Sequence, residues 1–385
     1  MNRRSNISLF FLALFCLISF SGCGSQAEMP AAEQTTPPVS VQPVPSASAS
    51  PSPSPSVSPS PKVSPVPDEI LTVQAREDIK NELMDAMIQL RQPRTMDLSA
   101  LDLERPDLYI KNIYYEITSE HPELKYTFDL IVRLQDEEAD CQLCYMPYKT
   151  GAFPDGFLGD EAATLEELIA VAESHLGAEP APIRITDTTL DPDTMNRALQ
   201  QVGGGYILCQ LSPDGTELRY TPGSGMTMEE CLAALSLADE LTDQVVARVI
   251  KEGMTLRERA EALYSYVTQT VSYDQRYYSD RASMPYESQT ALGALRDGVA
   301  ICGGYSNAVK LLFEKAGIPC YNVTGRYFSE NYMWNVAKLD GEWLWFDATA
   351  DRGSSGEFGF LRFALEELDP TMYRWAESSI QPLLN

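Results

Sequence analysis

Two periodicities organise the chain from residue 69 onward. Apolar residues three and four apart run through "ILTVQAREDIKNELMDAMIQL" and predict a helix over 70–90, with a second helix expected over 107–118. "YTFDLIVRL" and "CQLCYMPY" alternate and read as strands. "TLEELIAVAESHLG" has a threonine start and a glycine stop, so it reads as a helix. "GGGYILCQLSPDGTELRYTP" reads as a hairpin turning at "PDG". Residues 69–222 are therefore expected to form a small α+β unit, with no chemical motif of its own.

The pattern changes at the start of a second unit, expected over 223–385. "MEECLAALSLADELTDQVVARVIKEG" is a long helix closed by Gly253. "TLRERAEALYSYVTQTVSYD" is another, with Thr255 and Glu258 spaced as a capping box. "AICGGYSNAVKLLFEKAG" predicts a helix from Cys302 to Lys315, stopped by Gly317. Three strands follow, "CYNVTGRYF", "YMWNVAKL" and "EWLWFDAT", the last two joined by a tight turn at "DGE". The order is helices, a cysteine helix, then an antiparallel sheet.

The first 68 residues follow neither period. Arg3 and Arg4, an apolar run from Ile7 to Phe20, and Ser21-Gly22 before Cys23 have the layout of a secretory signal. The small pair before a cysteine resembles a bacterial lipoprotein box, in which Cys23 is acylated and becomes the mature N-terminus; a plain signal peptide and an uncleaved anchor are the alternatives. Residues 24–68 are dominated by Pro, Ser, Ala, Val and Thr. Such a tract has too little apolar surface to offset chain entropy, and its prolines favour an extended stalk of up to about 100 Å. The expectation is an exported protein, lipid-anchored at the extracytoplasmic face, that meets the membrane through its anchor alone.

Charge narrows the partners. The chain carries 29 basic and 55 acidic residues, a net charge of −26. Loss of residues 1–22 removes two arginines and no acid. So acidic a surface argues against nucleic acid and against adhesion to anionic lipid.

The cysteines other than Cys16 and Cys23, namely Cys141, Cys144, Cys209, Cys231, Cys302 and Cys320, are too few for a disulfide scaffold, though one bridge would be compatible with export. Cys141 and Cys144 lie three apart on a predicted strand, facing opposite sides, which disfavours chelation. Cys302 stands at a helix N-terminus among glycines. Amides and the helix dipole there are expected to ease ionisation of a thiol and to hold an oxyanion. Inert packing is the other reading.

"TALGALRDGVAICGGYSNAVKLLFEKAGIPCYNVTGR" followed by "YMWNVAKLDGEWLWFDATADR" resembles the transglutaminase-like domain, a papain-like cysteine fold. "LRERAEALYSYVTQTVSYD" resembles the family's lead-in helix and "FGFLRFALEELDPTMYRW" the closing segment of its exported bacterial members, so the likeness covers roughly 227–376. The resemblance implies an α+β fold and a Cys-His-Asp triad in which a thiolate attacks a carboxamide or peptide carbonyl, a histidine carries the proton and an aspartate orients it. It implies no cofactor and no metal. Cys302 matches the nucleophile and Asp347 the orienting acid. The family's His-Ala-Trp-Asn motif falls on Tyr332, Met333, Trp334 and Asn335, so Tyr332 stands in place of the histidine.

The chain has two histidines, His121 and His175, both in the first half and both expected to be structural or surface residues. A phenol with an ordinary pKa near 10 is a donor and a poor base at neutral pH. Two functional expectations follow. The first is a catalytically impaired domain that binds a protein, peptide or cell-wall component. The second is an active cysteine acyltransferase or peptidase working through a thioester on Cys302 with a non-standard base. A purely structural surface protein is the remaining alternative.

Overall fold

The computed structural model of the chain describes residues 69–178, 181–223, 225–352, 368–376 and 380–384. The expected signal segment with Cys23, the stalk to residue 68 and most of "FGFLRFALEEL" lie outside the described residues. All described residues belong to one compact unit. No helix among them is long and apolar enough to cross a membrane.

The first strand, β1 (Leu71–Thr72), precedes α1 (Arg76–Ile88), so the helix expected from residue 70 begins six residues later. β1 pairs in parallel with β2 (Met96–Asp97), and that tertiary pairing overrides the helical spacing of Ile70, Leu71 and Val73. α2 (Pro106–Glu120) leads to β3 (Thr127–Gln135) and β4 (Glu138–Tyr145), giving a sheet of order β1-β2-β4-β3. Cys141 is buried and Cys144 half-buried on β4, both as free thiols. After α3 (Pro147–Thr150) and β5 (Asp160–Ala162), α4 (Leu165–Ser174) starts on Thr164, whose hydroxyl accepts the Glu167 amide at 3.1 Å. β6 (Ala181–Ile185), α5 (Pro192–Leu199), β7 (Ile207–Leu211) and β8 (Glu217–Pro222) complete a second sheet of order β5-β6-β8-β7.

The second half opens with α6 (Met228–Val249) and α7 (Leu256–Thr270). The capping box of α7 forms as its sequence predicts: Glu258 donates its amide to Thr255 at 3.2 Å, and Thr255 donates its own to the Glu258 carboxylate at 2.8 Å. Next come β9 (Ser272–Tyr273), α8 (Arg276–Ser279), α9 (Ala291–Leu295) and β10 (Val299–Ala300), with β9 and β10 paired in parallel. α10 (Cys302–Lys315) has the limits its sequence predicts. β11 (Cys320–Tyr327), β12 (Glu330–Leu339), β13 (Glu342–Phe346) and β14 (Tyr373–Arg374) form an antiparallel sheet of order β13-β12-β11-β14, and α11 (Gln381–Leu384) ends the described chain. The architecture is α+β.

α10 is the helix around which the second half packs, with Gly303 through Lys310, Leu312 and Phe313 all buried. Two adjacent glycines in a first turn are poor helix formers, at about 1 kcal/mol each against alanine. Space explains them. A Cβ on Gly304 would lie 2.6 Å from the Ser288 carbonyl oxygen and 2.9 Å from that of Thr290, and one on Gly303 would lie 2.9 Å from that of Gln289. The glycines let the cysteine end of α10 press against the 288–290 backbone.

The two halves are also joined by amides. Gln201 accepts the Asn322 backbone N–H at 2.8 Å and donates to its carbonyl at 2.9 Å, as a neighbouring strand would. Asn322 continues the chain, donating to Asn307 at 2.8 Å and accepting from Asn335 at 2.9 Å. Asn335, the last residue of the quoted "YMWN", also donates to the Ser306 carbonyl at 3.0 Å and so ties β12 to α10.

Candidate functional site

Cys302 is held from behind. The Ile301 amide donates to the Ser288 carbonyl at 2.7 Å, and the Asp274 amide donates to Ala300 at 2.9 Å. The Asp274 side chain is buried and accepts from Arg276 Nε at 2.8 Å, Arg276 Nη2 at 2.9 Å and Ser288 Oγ at 2.6 Å. It thereby ties the 272–276 segment to the loop that carries the turn into Cys302. The Arg276 guanidinium first, then Ser288, hold its carboxyl down to about 2. A depressed carboxyl contributes stability that is full above its ordinary value near 4 and is lost as pH falls toward 2. Asp274→Asn should cost about 1–2 kcal/mol in urea unfolding at pH 7 and flatten the acid limb between pH 4 and 2. An unchanged acid limb would remove Asp274 from this role.

The sulfur itself is in a different environment from the one its helix position suggests. Burial pushes the Cys302 thiol up, and the Asp347 charge adds to that; the backbone amides of Met333 and Gly303 and its own oppose it. The net direction is upward, so the expected easing of ionisation at the helix end is overturned by burial beside a carboxylate. Cys302 is a free thiol, as is fully buried Cys320.

Asp347 follows β13 directly and is 2% exposed. Its Oδ1 accepts from the Tyr332 hydroxyl at 3.1 Å and from the Ala350 amide at 2.9 Å; its Oδ2 accepts from the Tyr373 hydroxyl at 2.8 Å. Burial pushes this carboxyl up, against the pull of those three donors. Tyr332 comes from β12, where it pairs with Gly325, and its ring packs against Tyr327 at 5.1 Å and Trp334 at 6.2 Å. Gly325 makes room: a Cβ there would lie 2.8 Å from the Trp334 ring and 2.3 Å from the Arg374 carbonyl oxygen. Burial, then the charges of Asp347 and Cys302, push the Tyr332 phenol far above its ordinary value. At neutral pH Tyr332 is a hydrogen-bond donor to Asp347.

Both histidines are engaged in the first half. His121 Nδ1 lies 3.1 Å from Glu123, and His175 Nε2 bonds to Asp160. Neither lines the cleft beside Tyr332.

That cleft has a volume of about 440 Å³. Tyr273 and Tyr278 line it from the segment around β9 and α8, and Tyr327, Phe328 and Tyr332 from the β11–β12 hairpin. Thr349, Ala350 and Arg352 line it from the stretch after Asp347. The Arg352 guanidinium sits over the Tyr273 ring at 4.9 Å. Sequence reasoning named Cys302, Tyr332 and Asp347 but not Tyr373, Tyr273, Tyr278 or Phe328, and the structure brings Tyr332 and Tyr373 onto Asp347. Tyr373 stood in the quoted closing segment without a role; its pairing of β14 on β11, Tyr327 opposite Tyr373, is what brings it to Asp347.

Phe328 is the outlier of this wall. It opens the two-residue turn between β11 and β12 at φ +53, the position and sign that favour glycine in a type II′ turn. A bulky side chain there stores about 1–3 kcal/mol of strain. The β12–β13 turn uses Asp340-Gly341 at φ +54 and +88, as such turns normally do. Phe328 nevertheless remains 54% exposed, so burial offsets little of the strain.

Residues 243–348 match the sequence model of the Transglutaminase-like superfamily. The chain carries a transglutaminase-like domain. The matched stretch contains Cys302, Tyr332 and Asp347 and stops before Tyr373. Among solved structures, the crystal structure of a TGase is 17% identical over 52% of this chain and 61% of its own, with a TM-score of 0.27. A putative cysteine protease from Cytophaga hutchinsonii is 20% identical over 33% of this chain and 42% of its own, with a TM-score of 0.25. This chain thus spans less than two thirds of either. No curated protein matches it.

Proposed function

We propose that the transglutaminase-like domain belongs to an exported lipoprotein, anchored through Cys23, and that it is a ligand-binding domain with impaired chemistry. Its ligand is a protein, peptide or cell-wall component held in the cleft beside Tyr332. One observation carries the reading: the side chain that meets Asp347 from β12 is a phenol, Tyr332, which donates to it at 3.1 Å. Amide chemistry needs a group that takes the thiol proton and returns it to the leaving nitrogen. A phenol pushed up by burial does neither at neutral pH. The second reading, an active acyltransferase or peptidase with a non-standard base, is supported by the amides of Met333 and Gly303 directed at the sulfur.

Thiol labelling separates the two. With burial pushing its pKa up, Cys302 is held mainly as the neutral thiol at pH 7. Peptide-mapped alkylation by iodoacetamide should therefore be slow at pH 7 and rise with pH beyond 9. Asp347→Asn, which removes a neighbouring negative charge, should speed it. Rapid labelling of Cys302 at pH 6, lost on Asp347→Ala, would establish an activated thiolate and sink the impaired reading.

A further inference from the structure

We propose that the cleft beside Tyr332 takes the sugar rings of a neutral glycan, stacked on Tyr278 and Phe328. This rests on the reading of the cleft as a ligand site and names the ligand's class. Tyr278 is 63% exposed and Phe328 54% exposed, yet both line the same cleft, one from α8 and one from the hairpin turn. Phe328 is held out at a positive φ that glycine would occupy without strain. The Phe328 ring meets Tyr327 edge-on at 4.7 Å, yet more than half of it stays open to solvent, so packing alone accounts for little of the strain. A ring so placed does serve a ligand that stacks.

The polar groups select among flat ligands. Among the described residues the cleft holds one carboxylate, Glu330, within 3.5 Å of the Tyr278 hydroxyl, and one guanidinium, Arg352, so the charges of its described lining balance. A strongly cationic or anionic ligand would meet one of the two with the wrong sign. A nucleobase on its phosphate chain is disfavoured by the net charge of −26. An extended peptide recognised by strand addition needs free amides, and at this wall they are used: Tyr327 pairs with Glu330 and with Tyr373, and Phe328 donates its N–H to Met372 at 2.7 Å. The wall therefore offers ring faces. A pyranose is their complement, because its C–H bonds project from the ring face toward the negative face of an aromatic, while its hydroxyls lie at the edge within reach of Glu330 and Arg352. The volume, about 440 Å³, is that of a small-molecule site.

The test is calorimetric titration of the protein with two probes, chitotetraose and cellotetraose, beside a dodecapeptide library. At least one oligosaccharide should bind. Phe328→Gly should weaken that binding tenfold or more while leaving the melting temperature unchanged or raised by a few degrees, since it removes strain and an exposed ring together. Tyr278→Ala should weaken binding by a similar factor without loss of fold, and Glu330→Gln by severalfold. Affinity for both sugars unchanged in Phe328→Gly and Tyr278→Ala would overturn the clamp. If peptides bind in a Tyr278-dependent way and neither sugar does, the glycan assignment fails while the ligand-site reading stands. If nothing binds, both fail.

Discussion

Tyr332→His is expected to raise turnover of a glutamine-containing peptide amide by about 10³-fold or more over the parent protein, where the parent rate is close to that of buffer. The expectation follows from what is already in place. Asp347 is buried and its Oδ1 faces the residue at position 332. An imidazole there would give its Nδ1 proton to Asp347, be held in one tautomer, and turn its other nitrogen toward the sulfur. The carboxylate would raise the imidazolium's pKa, and the imidazolium would lower that of Cys302, reversing the upward push that burial now exerts. Amide hydrolysis or transfer to an added amine should both appear, since the two share the thioester. Labelling of Cys302 at pH 6 should accelerate in parallel. Tyr332→Phe is the control: it loses the hydrogen bond to Asp347 but gains no base, so its amide turnover should match the parent. A parent protein already as active as Tyr332→His would show that the phenol is not what silences the site.

The parts of this site that sequence revealed are those set by local rules. α10 could be bounded at Cys302 and Lys315 because glycines flank a run of helical period. The β12–β13 turn was legible because Asp340-Gly341 supplies two residues tolerant of positive φ. That Tyr332 falls where the family's motif has a histidine followed from the resemblance, and one hairpin fixes its distance from Asp347 along the chain. What stayed hidden depends on contacts distant in sequence. Leu71 and Thr72 read as helix because their partner, Met96–Asp97, has no strand-like run around it. Asp274 looked like the tail of a helix, and only the fold brings Ser288 to it. The direction of the Cys302 pKa was inferred from the helix end. It is decided instead by how deeply the sulfur is buried and by a carboxylate 45 residues later in the chain. Phe328 gave no signal, because a phenylalanine at the first position of a tight turn contradicts the turn rules that make other hairpins readable.

Asp347 should prove to be as important for folding as for any chemistry, and two substitutions of similar size should show it. Asp347→Leu removes the acceptor of three donors, the hydroxyls of buried Tyr373 and half-buried Tyr332 and the amide of exposed Ala350. The buried donor costs about 1–3 kcal/mol when orphaned and the two that water can reach cost less, so the variant should lose about 2–3 kcal/mol in urea unfolding. Asp347→Asn keeps an oxygen for two donors and presents an amide to the Tyr373 hydroxyl, which accepts as well as donates. It also relieves the burial of a charge. Because burial raises this carboxyl, its contribution is most favourable below pH 4 and is lost as pH rises through the folded value, the reverse of Asp274. The asparagine variant should therefore stay within about 1 kcal/mol of the parent at pH 7. Combining Asp347→Leu with Tyr332→Phe and Tyr373→Phe removes two of the orphaned donors along with their acceptor and should recover about 1–2 kcal/mol of the loss. If Asp347→Leu unfolds at the same urea concentration as the parent, the three hydrogen bonds do not hold the hairpin against β14. The retention of Asp347 without a histidine would then call for a catalytic explanation.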